Sequence, residues 1–294
     1  QILWGLFKKL VIADNCAEFA NTIFNNSLDL NGSALVIGAV FFSFQIYCDF
    51  SGYSDIAIGT SRLFGFELKQ NFATPYFSRD IAEFWRRWHI SLSTWFRDYL
   101  YIPLGGSRRG ILVKTRNTFI IFIVSGFWHG ANWTFIIWGV LNAIYFLPLL
   151  LTNSNKKNLG VVAEGKLLPS FRELLAMLST FTLTVFAWIF FRADNLNHAF
   201  NYVNSIFSKS IFAVPYFEKG TNSIIIIIII IMFIAAEWLG RNDRFGIEYN
   251  LLKLNKLVRY LVYLIIIIKR KQQLPNLPST LIMAYDIIIY TRII

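Results

Sequence analysis

The stretch from residue 117 to residue 151 contains no formal charge over 35 positions, and its only histidine is His129. As one helix it would measure about 52 Å, which exceeds a hydrocarbon core of about 30 Å. Two complete crossings need about 40 residues. The stretch is therefore predicted to form a bent or re-entrant hairpin, broken near Ser125-Gly126 and His129-Gly130. A first leg that starts at the interface would place His129 near the middle of the membrane.

The composition extends this conclusion to the whole chain. Of 294 residues, 55% are hydrophobic and 15% charged, and the mean hydropathy is +0.50. These values exclude a soluble globular protein and a disordered one, and they indicate an all-α, multi-pass transmembrane helical bundle. Further spans are predicted at 33–60, 173–191 and 223–236, and a last span or partial span at 256–268.

The charge distribution indicates a membrane environment rather than nucleic acid. The formal net charge is +11, and loops 105–116 and 152–172 are both basic. The positive-inside rule predicts that both loops lie on the cytoplasmic side. Cys16 and Cys48 do not make a disulfide framework, and no Cys/His cluster has the spacing of a metal site.

The remaining segments give weaker signals. Residues 1–13 are predicted to be interfacial or the tail of a helix, and residues 15–32 a connector. Residues 1–268 are assigned to one membrane domain, whereas 269–294 form an unassigned tail. The start at Gln1, without a signal peptide, suggests the C-terminal portion of a longer protein whose N-terminal spans are missing.

Acidic residues within the first span have two interpretations. Gln45, Asp49 and Asp55 lie in the otherwise apolar run 33–60. Ionisable groups at membrane depth are costly, so they should face a polar interior or a water-filled cavity. Alternatively, Asp49 and Asp55 lie near the aqueous end and only anchor the helix.

Residues 79–101 are predicted to form one amphipathic helix at the membrane boundary or along a polar cavity. His89 lies at the edge of its apolar stripe. The opposite face carries Glu83, Arg86, Arg87 and Arg97. The apolar stripe, at helical spacing, consists of Ile81, Phe84, Trp85, Trp88, Leu92, Trp95, Phe96 and Tyr99.

Two of the three histidines are candidates for chemistry. His198 follows a polar loop and is predicted to be a surface residue, whereas His89 and His129 are either hydrogen-bonded packing or functional groups. A neutral imidazole in a low-dielectric pocket can take a proton from an alcohol and make it a nucleophile. This chemistry suits acyl transfer between carriers that meet inside a membrane, where water is excluded. No GxSxG elbow or P-loop is present.

Several long motifs resemble the membrane-bound O-acyltransferase family, in particular its bacterial alginate O-acetyltransferase branch. They are FWRRWHISLSTWFRDYLYIPLGG (84–106) and SGFWHGANWTFIIWG (125–139), supported by 1–15 and 47–68. The resemblance implies a helical fold around a central tunnel. It also implies that His129 is catalytic and that His89 is its partner in the same tunnel.

The resemblance suggests roles for further residues, each with a structural alternative. Tunnel-lining candidates are Trp85, Trp88, Trp128, Trp133, Asn132 and Asp98; the tryptophans are otherwise ordinary packing, and Asp98 is otherwise half of a surface pair. Arg86, Arg87, Arg108 and Arg109 are candidates for the donor phosphates, or alternatively set topology and contact headgroups.

The resemblance implies a bacterial cytoplasmic-membrane enzyme with no bound cofactor. It would pass acetyl groups from a cytoplasmic donor, acetyl-CoA, across the membrane to an extracytoplasmic polysaccharide such as alginate. A partner acetyltransferase outside the membrane would receive the group, and nucleic acid is not a partner. Teichoic-acid D-alanylation and peptidoglycan O-acetylation are alternatives, as are a proton-coupled transporter using His129 and the aspartates and a non-catalytic scaffold.

Overall fold

The computed structural model describes residues 1–108, 110–217 and 220–243, and all elements in these ranges are helical. The predicted span 256–268 and the tail 269–294 lie outside the described residues. The helices are α1 (Ile2–Leu6), α2 (Asp14–Asn25), α3 (Gly32–Leu63), α4 (Ile81–Arg87), α5 (Ile90–Phe96), α6 (Gly110–His129), α7 (Trp133–Leu151), α8 (Phe171–Arg192), α9 (Leu196–Ile206) and α10 (Gly220–Leu239). Two π-helical segments (Phe7–Ala13, Arg97–Tyr101) and two 3₁₀ segments (Pro75–Phe77, Lys209–Phe212) complete the order.

Within the described ranges, four helices are long and apolar enough to cross a membrane. By length and composition these are α3, α6, α7 and α8, and α10 contains a shorter apolar stretch. The spans predicted at 33–60, 173–191 and 223–236 are therefore helices as expected. The all-α, multi-pass architecture is confirmed.

The N-terminal region differs from the prediction. The connector predicted at 15–32 is confined to residues 26–31, because α1, the π segment Phe7–Ala13 and α2 follow one another without a break up to Asn25 and pack against α3. The buried side chains of α2 repeat at helical spacing, which explains why this polar-looking segment folds as a helix. They are Cys16, Phe19, Ala20, Ile23 and Phe24.

His198 also departs from its prediction. Its ring is mostly buried, and Nε2 lies 3.1 Å from the carbonyl oxygen of Phe24 and 3.3 Å from Ser27 Oγ. It therefore joins α9 to α2 and is not a surface residue. Cys48 is a buried, free core thiol as predicted.

The single helix predicted over 79–101 is broken in the structure. Trp88 is extended, and His89 is left-handed with φ 45° and ψ 55°, so α4 ends before them and α5 begins after them. A neighbouring segment holds the break open, because Ala73 N–H donates to Arg87 O at 3.0 Å and Ile90 N–H donates to Asn71 O at 2.9 Å. These backbone partners replace helical hydrogen bonds that the sequence alone would favour.

Glu83 was predicted to lie on the polar face of that helix, but its side chain is 1% exposed. It forms ion pairs with Arg79 at 3.0 Å and with Arg87 at 2.9 Å. The buried carboxylate thus links α4 to the segment before it through these ion pairs.

The predicted hairpin over 117–151 is present, with different boundaries. Its break covers only residues 130–132, and the helix continues through Ser125-Gly126. Because α6 starts at Gly110, it has 20 residues and rises about 30 Å. His129 therefore ends a helix long enough to cross, instead of lying halfway along it. The basic regions 105–116 and 152–172 share one end of the hairpin, since Lys114 Nζ lies 3.4 Å from Asn153 Oδ1.

Two glycines let the backbones of α6 and α7 touch. A Cβ atom on Gly126 would lie 2.3 Å from Phe135 O, and one on Gly139 would lie 2.3 Å from Phe122 O. Contacts this short exclude any side chain at either position. Small residues at such crossings are typical of helix pairs packed within membranes.

Candidate functional site

An elongated apolar cavity of about 390 Å³ contains both candidate histidines. Its walls come from α3, from the broken α4–α5 segment and from α6, α7 and α8. The α6 residues that line the cavity recur at intervals of three or four and so form one stripe, namely Thr118, Ile121, Phe122, Ser125, Trp128 and His129. From Thr118 to His129 that stripe rises about 16 Å. The cavity thus follows the hairpin from the end that carries the two basic regions to His129, next to the hairpin turn.

His129 is held by aromatic rings. The ring centroids of Phe191, Trp128 and Trp138 lie 4.9, 5.0 and 5.4 Å from that of the imidazole. Within the described ranges, neither nitrogen of His129 has a protein hydrogen-bond partner. The side chain is therefore positioned by packing, and its nitrogens remain available to a ligand.

His89 is held by polar contacts as well as by packing. Its Nδ1 lies 3.3 Å from Asn71 Oδ1, and its ring meets that of Phe50 edge-on at 4.6 Å. Burial, and then the neighbouring His129, lower the pKa of His89 to about 4 from an ordinary 6.5. The imidazole is consequently neutral near pH 7.

Three of the four predicted tryptophans line the cavity: Trp85, Trp88 and Trp128. Trp85 is also anchored, because its Nε1 donates to Asn142 Oδ1 at 3.2 Å. Trp133 does not belong to the lining and is 71% exposed.

Asn132 and Asp98 also lie outside the cavity lining. Asn132 caps α7 by accepting from Thr134 N–H at 3.1 Å, and it donates to Asp194 O at 2.9 Å. Asp98 pairs with Arg97 at 2.7 Å, and both side chains are substantially exposed. This geometry matches the surface-pair alternative for Asp98.

The structure separates the predicted phosphate-contact arginines. Arg86 donates to the carbonyls of Asn155 at 2.8 Å and Asn158 at 2.7 Å, which ties α4 to the loop after α7. Arg87 pairs with Glu83. Arg108 lies in an exposed turn, and Arg109 lies outside the described residues.

The sequence analysis did not predict several of the residues that line the cavity, including Ser93, Arg97, Thr118 and Ser125. Their spacing was a usable signal. Ser93 and Arg97 follow His89 at intervals of four, and Ser125 precedes His129 by four. Extending each histidine's helical stripe in both directions would have found them.

A second cavity, of about 330 Å³, is polar and lined by Lys8, Tyr47, Asp55 and Glu237 among others. Lys8 Nζ lies 2.7 Å from Asp55 Oδ2, and the Tyr47 hydroxyl donates to Glu237 Oε1 at 2.6 Å. Asp55 therefore faces a polar interior, which was one of its two interpretations. Asp49 is half-exposed and pairs with Lys9.

Comparison with known proteins gives a consistent result. The family model of MBOAT, membrane-bound O-acyltransferase family, matches residues 1–157. The chain is 46% identical over 195 residues to the peptidoglycan O-acetyltransferase of Helicobacter pylori, covering 66% of this chain and 36% of that protein. It is 42% identical over 208 residues to the probable alginate O-acetylase AlgI of Pseudomonas aeruginosa, covering 71% and 38%. The teichoic acid D-alanyltransferase of Streptococcus thermophilus is 36% identical over 162 residues, covering 49% and 37%.

The chain spans less than half the length of each of these relatives. The family match nevertheless covers more than half of the chain, including the broken α4–α5 segment, α6 and α7. Both histidines of the apolar cavity lie within the matched residues. The chain belongs to the membrane-bound O-acyltransferase family.

Proposed function

We propose that this protein is a bacterial cytoplasmic-membrane O-acyltransferase that moves acetyl groups toward an extracytoplasmic polysaccharide. The observation that carries the proposal is the placement of His89 and His129 on one aromatic cavity. An imidazole held in apolar surroundings can take a proton from a hydroxyl group and later return it to a leaving group. The cavity also keeps water away from an activated acyl group.

In this mechanism His129 is the general base. Its free nitrogen takes the proton of the acceptor hydroxyl as that oxygen attacks the thioester carbonyl carbon of the donor. The new carbon–oxygen bond forms, the carbon–sulfur bond breaks, and the proton passes from His129 to the departing thiolate. His89 orients the acceptor hydroxyl or stabilises charge on the acyl oxygen. The products are the acetyl ester and the free thiol.

The donor is proposed to be acetyl-CoA, entering from the cytoplasmic side. The two basic regions at one end of the hairpin support this side, because positively charged segments favour the cytoplasm. Arg97, which pairs with Asp98, lines the cavity and is proposed to contact the donor phosphates. The acetyl group is then handed to a partner acetyltransferase outside the membrane.

The final acceptor, to which the partner passes the acetyl group, is proposed to be a polysaccharide of the cell surface, either alginate or peptidoglycan. The names of the acetyl-transferring relatives support both glycans, at 42% and 46% identity. D-alanyl transfer to teichoic acid is the second candidate, and its named relative is 36% identical. The higher identities favour acetyl transfer.

The test is glycan O-acetylation in cells whose own copy is deleted and complemented with the full-length parent gene. We expect the intact gene to restore acetyl esters and His129→Ala to abolish them at equal membrane levels. His198→Gln is the matched control, because its amide can still contact Phe24 O outside the cavity. Equal restoration by His129→Ala would make His129 a packing residue and overturn the proposal.

A further inference from the structure

Asn71 lies in the wall between the two cavities and contacts the break that contains His89. It lines the polar cavity, whereas His89 lines the apolar one. Its backbone oxygen accepts from Ile90 N–H at 2.9 Å. Its side-chain oxygen lies within hydrogen-bond distance of three groups on the other side, namely Ser91 N, Ser91 Oγ and His89 Nδ1.

The Ser91 amide fixes which way the Asn71 side chain points. A backbone N–H can only donate, so the atom 3.2 Å from Ser91 N must be the carbonyl oxygen of the Asn71 amide. His89 occupies the N-cap position of α5 without capping it through its own side chain. Asn71 supplies that cap from another part of the chain, by accepting from an amide of the first turn.

The orientation of Asn71 then decides the tautomer of His89. An amide oxygen only accepts, so His89 Nδ1, at 3.3 Å, must carry the proton and donate it. Ser91 Oγ also lies 3.4 Å from Nδ1, but its one proton goes to Asn71 Oδ1 at the shorter distance of 2.9 Å. The neutral ring with Nδ1 protonated carries its lone pair on Nε2.

We propose that Asn71 is a positioning residue that holds His89 as the Nδ1-protonated tautomer, so that Nε2 is a hydrogen-bond acceptor in the apolar cavity. The catalytic role of Asn71 in this assignment rests on the proposed function, whereas the tautomer rests on the hydrogen bonds alone. The tautomer decides whether His89 orients the acceptor hydroxyl or stabilises charge on the acyl oxygen. A neutral Nε2 acceptor orients a hydroxyl group by accepting a hydrogen bond from it. It has no proton to donate, so it does not stabilise negative charge on an acyl oxygen.

The left-handed backbone of His89 is part of the same arrangement. Residues other than glycine adopt φ near 45° uncommonly, and they persist there when the surroundings determine the conformation. Here those surroundings are the backbone bonds to residues 71 and 73 and the shared Asn71 oxygen. Asn71 therefore fixes the ring position and its protonated nitrogen together.

The test is nitrogen NMR of the full-length protein, labelled with ¹⁵N-histidine and purified in detergent. The described histidines are assigned with His129→Gln and His198→Gln variants. We expect wild-type His89 to show a single Nδ1-protonated tautomer. Asn71→Ala should give a tautomer mixture, whereas Asn71→Asp should retain the wild-type signature because its carboxylate also only accepts. An unchanged His89 tautomer in folded Asn71→Ala overturns the assignment.

Kinetics on the same variants separate positioning from a purely structural role. Per folded molecule, Asn71→Ala should lower kcat on the order of tenfold with little change in KM, and Asn71→Asp should restore most of it. Ser54→Ala is the matched control, because it removes only the group near Asn71 Nδ2, at 3.4 Å. A purely structural residue would lower the folded amount and leave kcat unchanged.

The two measurements also distinguish failure of the tautomer assignment from failure of the proposed function. If no acyl transfer is found but the NMR result holds, the function is wrong and the tautomer assignment stands. If acyl transfer depends on His129 while Asn71→Ala keeps the wild-type tautomer, the positioning role is wrong and the function stands.

Discussion

The apolar and polar cavities in the described part of the chain contain ionisable groups in opposite situations. In the polar cavity, Lys8 is paired with Asp55 and Tyr47 with Glu237, each across different helices. In the apolar cavity, His129 contacts the rings of Trp128, Trp138 and Phe191 and has no hydrogen-bond partner among the described residues. Removing one member of a buried pair is costly because the other charge is left without a partner, whereas an unpaired group in apolar surroundings is available for chemistry. The comparison predicts stability effects from one cavity and activity effects from the other.

The largest stability effect should come from breaking the pair in the polar cavity. Asp55→Leu leaves the ammonium group of Lys8 buried without a partner, and we expect a loss of about 3–5 kcal/mol in the free energy of unfolding. The double variant Lys8→Met/Asp55→Leu should recover most of that loss, because neither charge of this pair is then left buried without its partner. Unfolding in detergent measures both.

Lys9 and Asp49 provide a matched control on the same helices. Their side chains are 39% and 50% exposed, against 5% and 16% for Lys8 and Asp55. Asp49→Leu should therefore cost at most about 1 kcal/mol. Equal losses from both pairs would contradict the view that burial makes the Lys8 pair structural.

The next largest effect should come from narrowing the apolar cavity. Ser125→Leu places a larger side chain one turn before His129, and we expect activity to fall about tenfold because the acyl donor is displaced. Ser125→Ala should retain activity, since it adds no volume. Acyl transfer per folded molecule is the measurement, and a loss of activity in Ser125→Ala would point to the hydroxyl instead of the space.

A smaller effect should appear only in acid. Because the pKa of His89 is lowered to about 4 from 6.5, the unfolded chain binds a proton at this position before the folded protein does. The stability difference between wild type and His89→Gln should be constant above pH 6.5. It should shift against wild type as the pH falls from 6.5 toward 4. Unfolding curves across this range check the sign, and a shift in the opposite direction would contradict the neutral state of His89.

The smallest effect should come from Asp98, whose partner Arg97 lines the apolar cavity. Arg97 lowers the pKa of this exposed carboxyl group through a hydrogen bond. We expect Asp98→Asn to leave stability unchanged, since the pair is screened by solvent. Any change in donor KM would show that the pair positions Arg97, and a kcat loss at constant KM would contradict its placement outside the cavity.

The sequence predicted the features that depend on local pattern. The helices around 33–60 and 173–191 and the hairpin turn after His129 follow from hydropathy and from Gly130. The break at His89 could not be predicted in this way, because residues 79–101 have a continuous helical pattern. It arises from hydrogen bonds to Asn71, a distant residue, and tertiary contacts of this kind override local preference. Trp133 shows the same limit, since its motif does not reveal that it points away from the cavity.

The glycine contacts between α6 and α7 show which part of the cavity wall can accept substitutions and which part cannot. At Gly126 and Gly139 the helices meet backbone to backbone, so the hairpin tolerates no change of residue size there. The facing wall is built from side chains such as Leu92 and Phe96, which can be exchanged without moving a helix. We expect relatives with other acyl groups to keep the hairpin and to diversify along α5, where a new specificity requires only a new set of side chains.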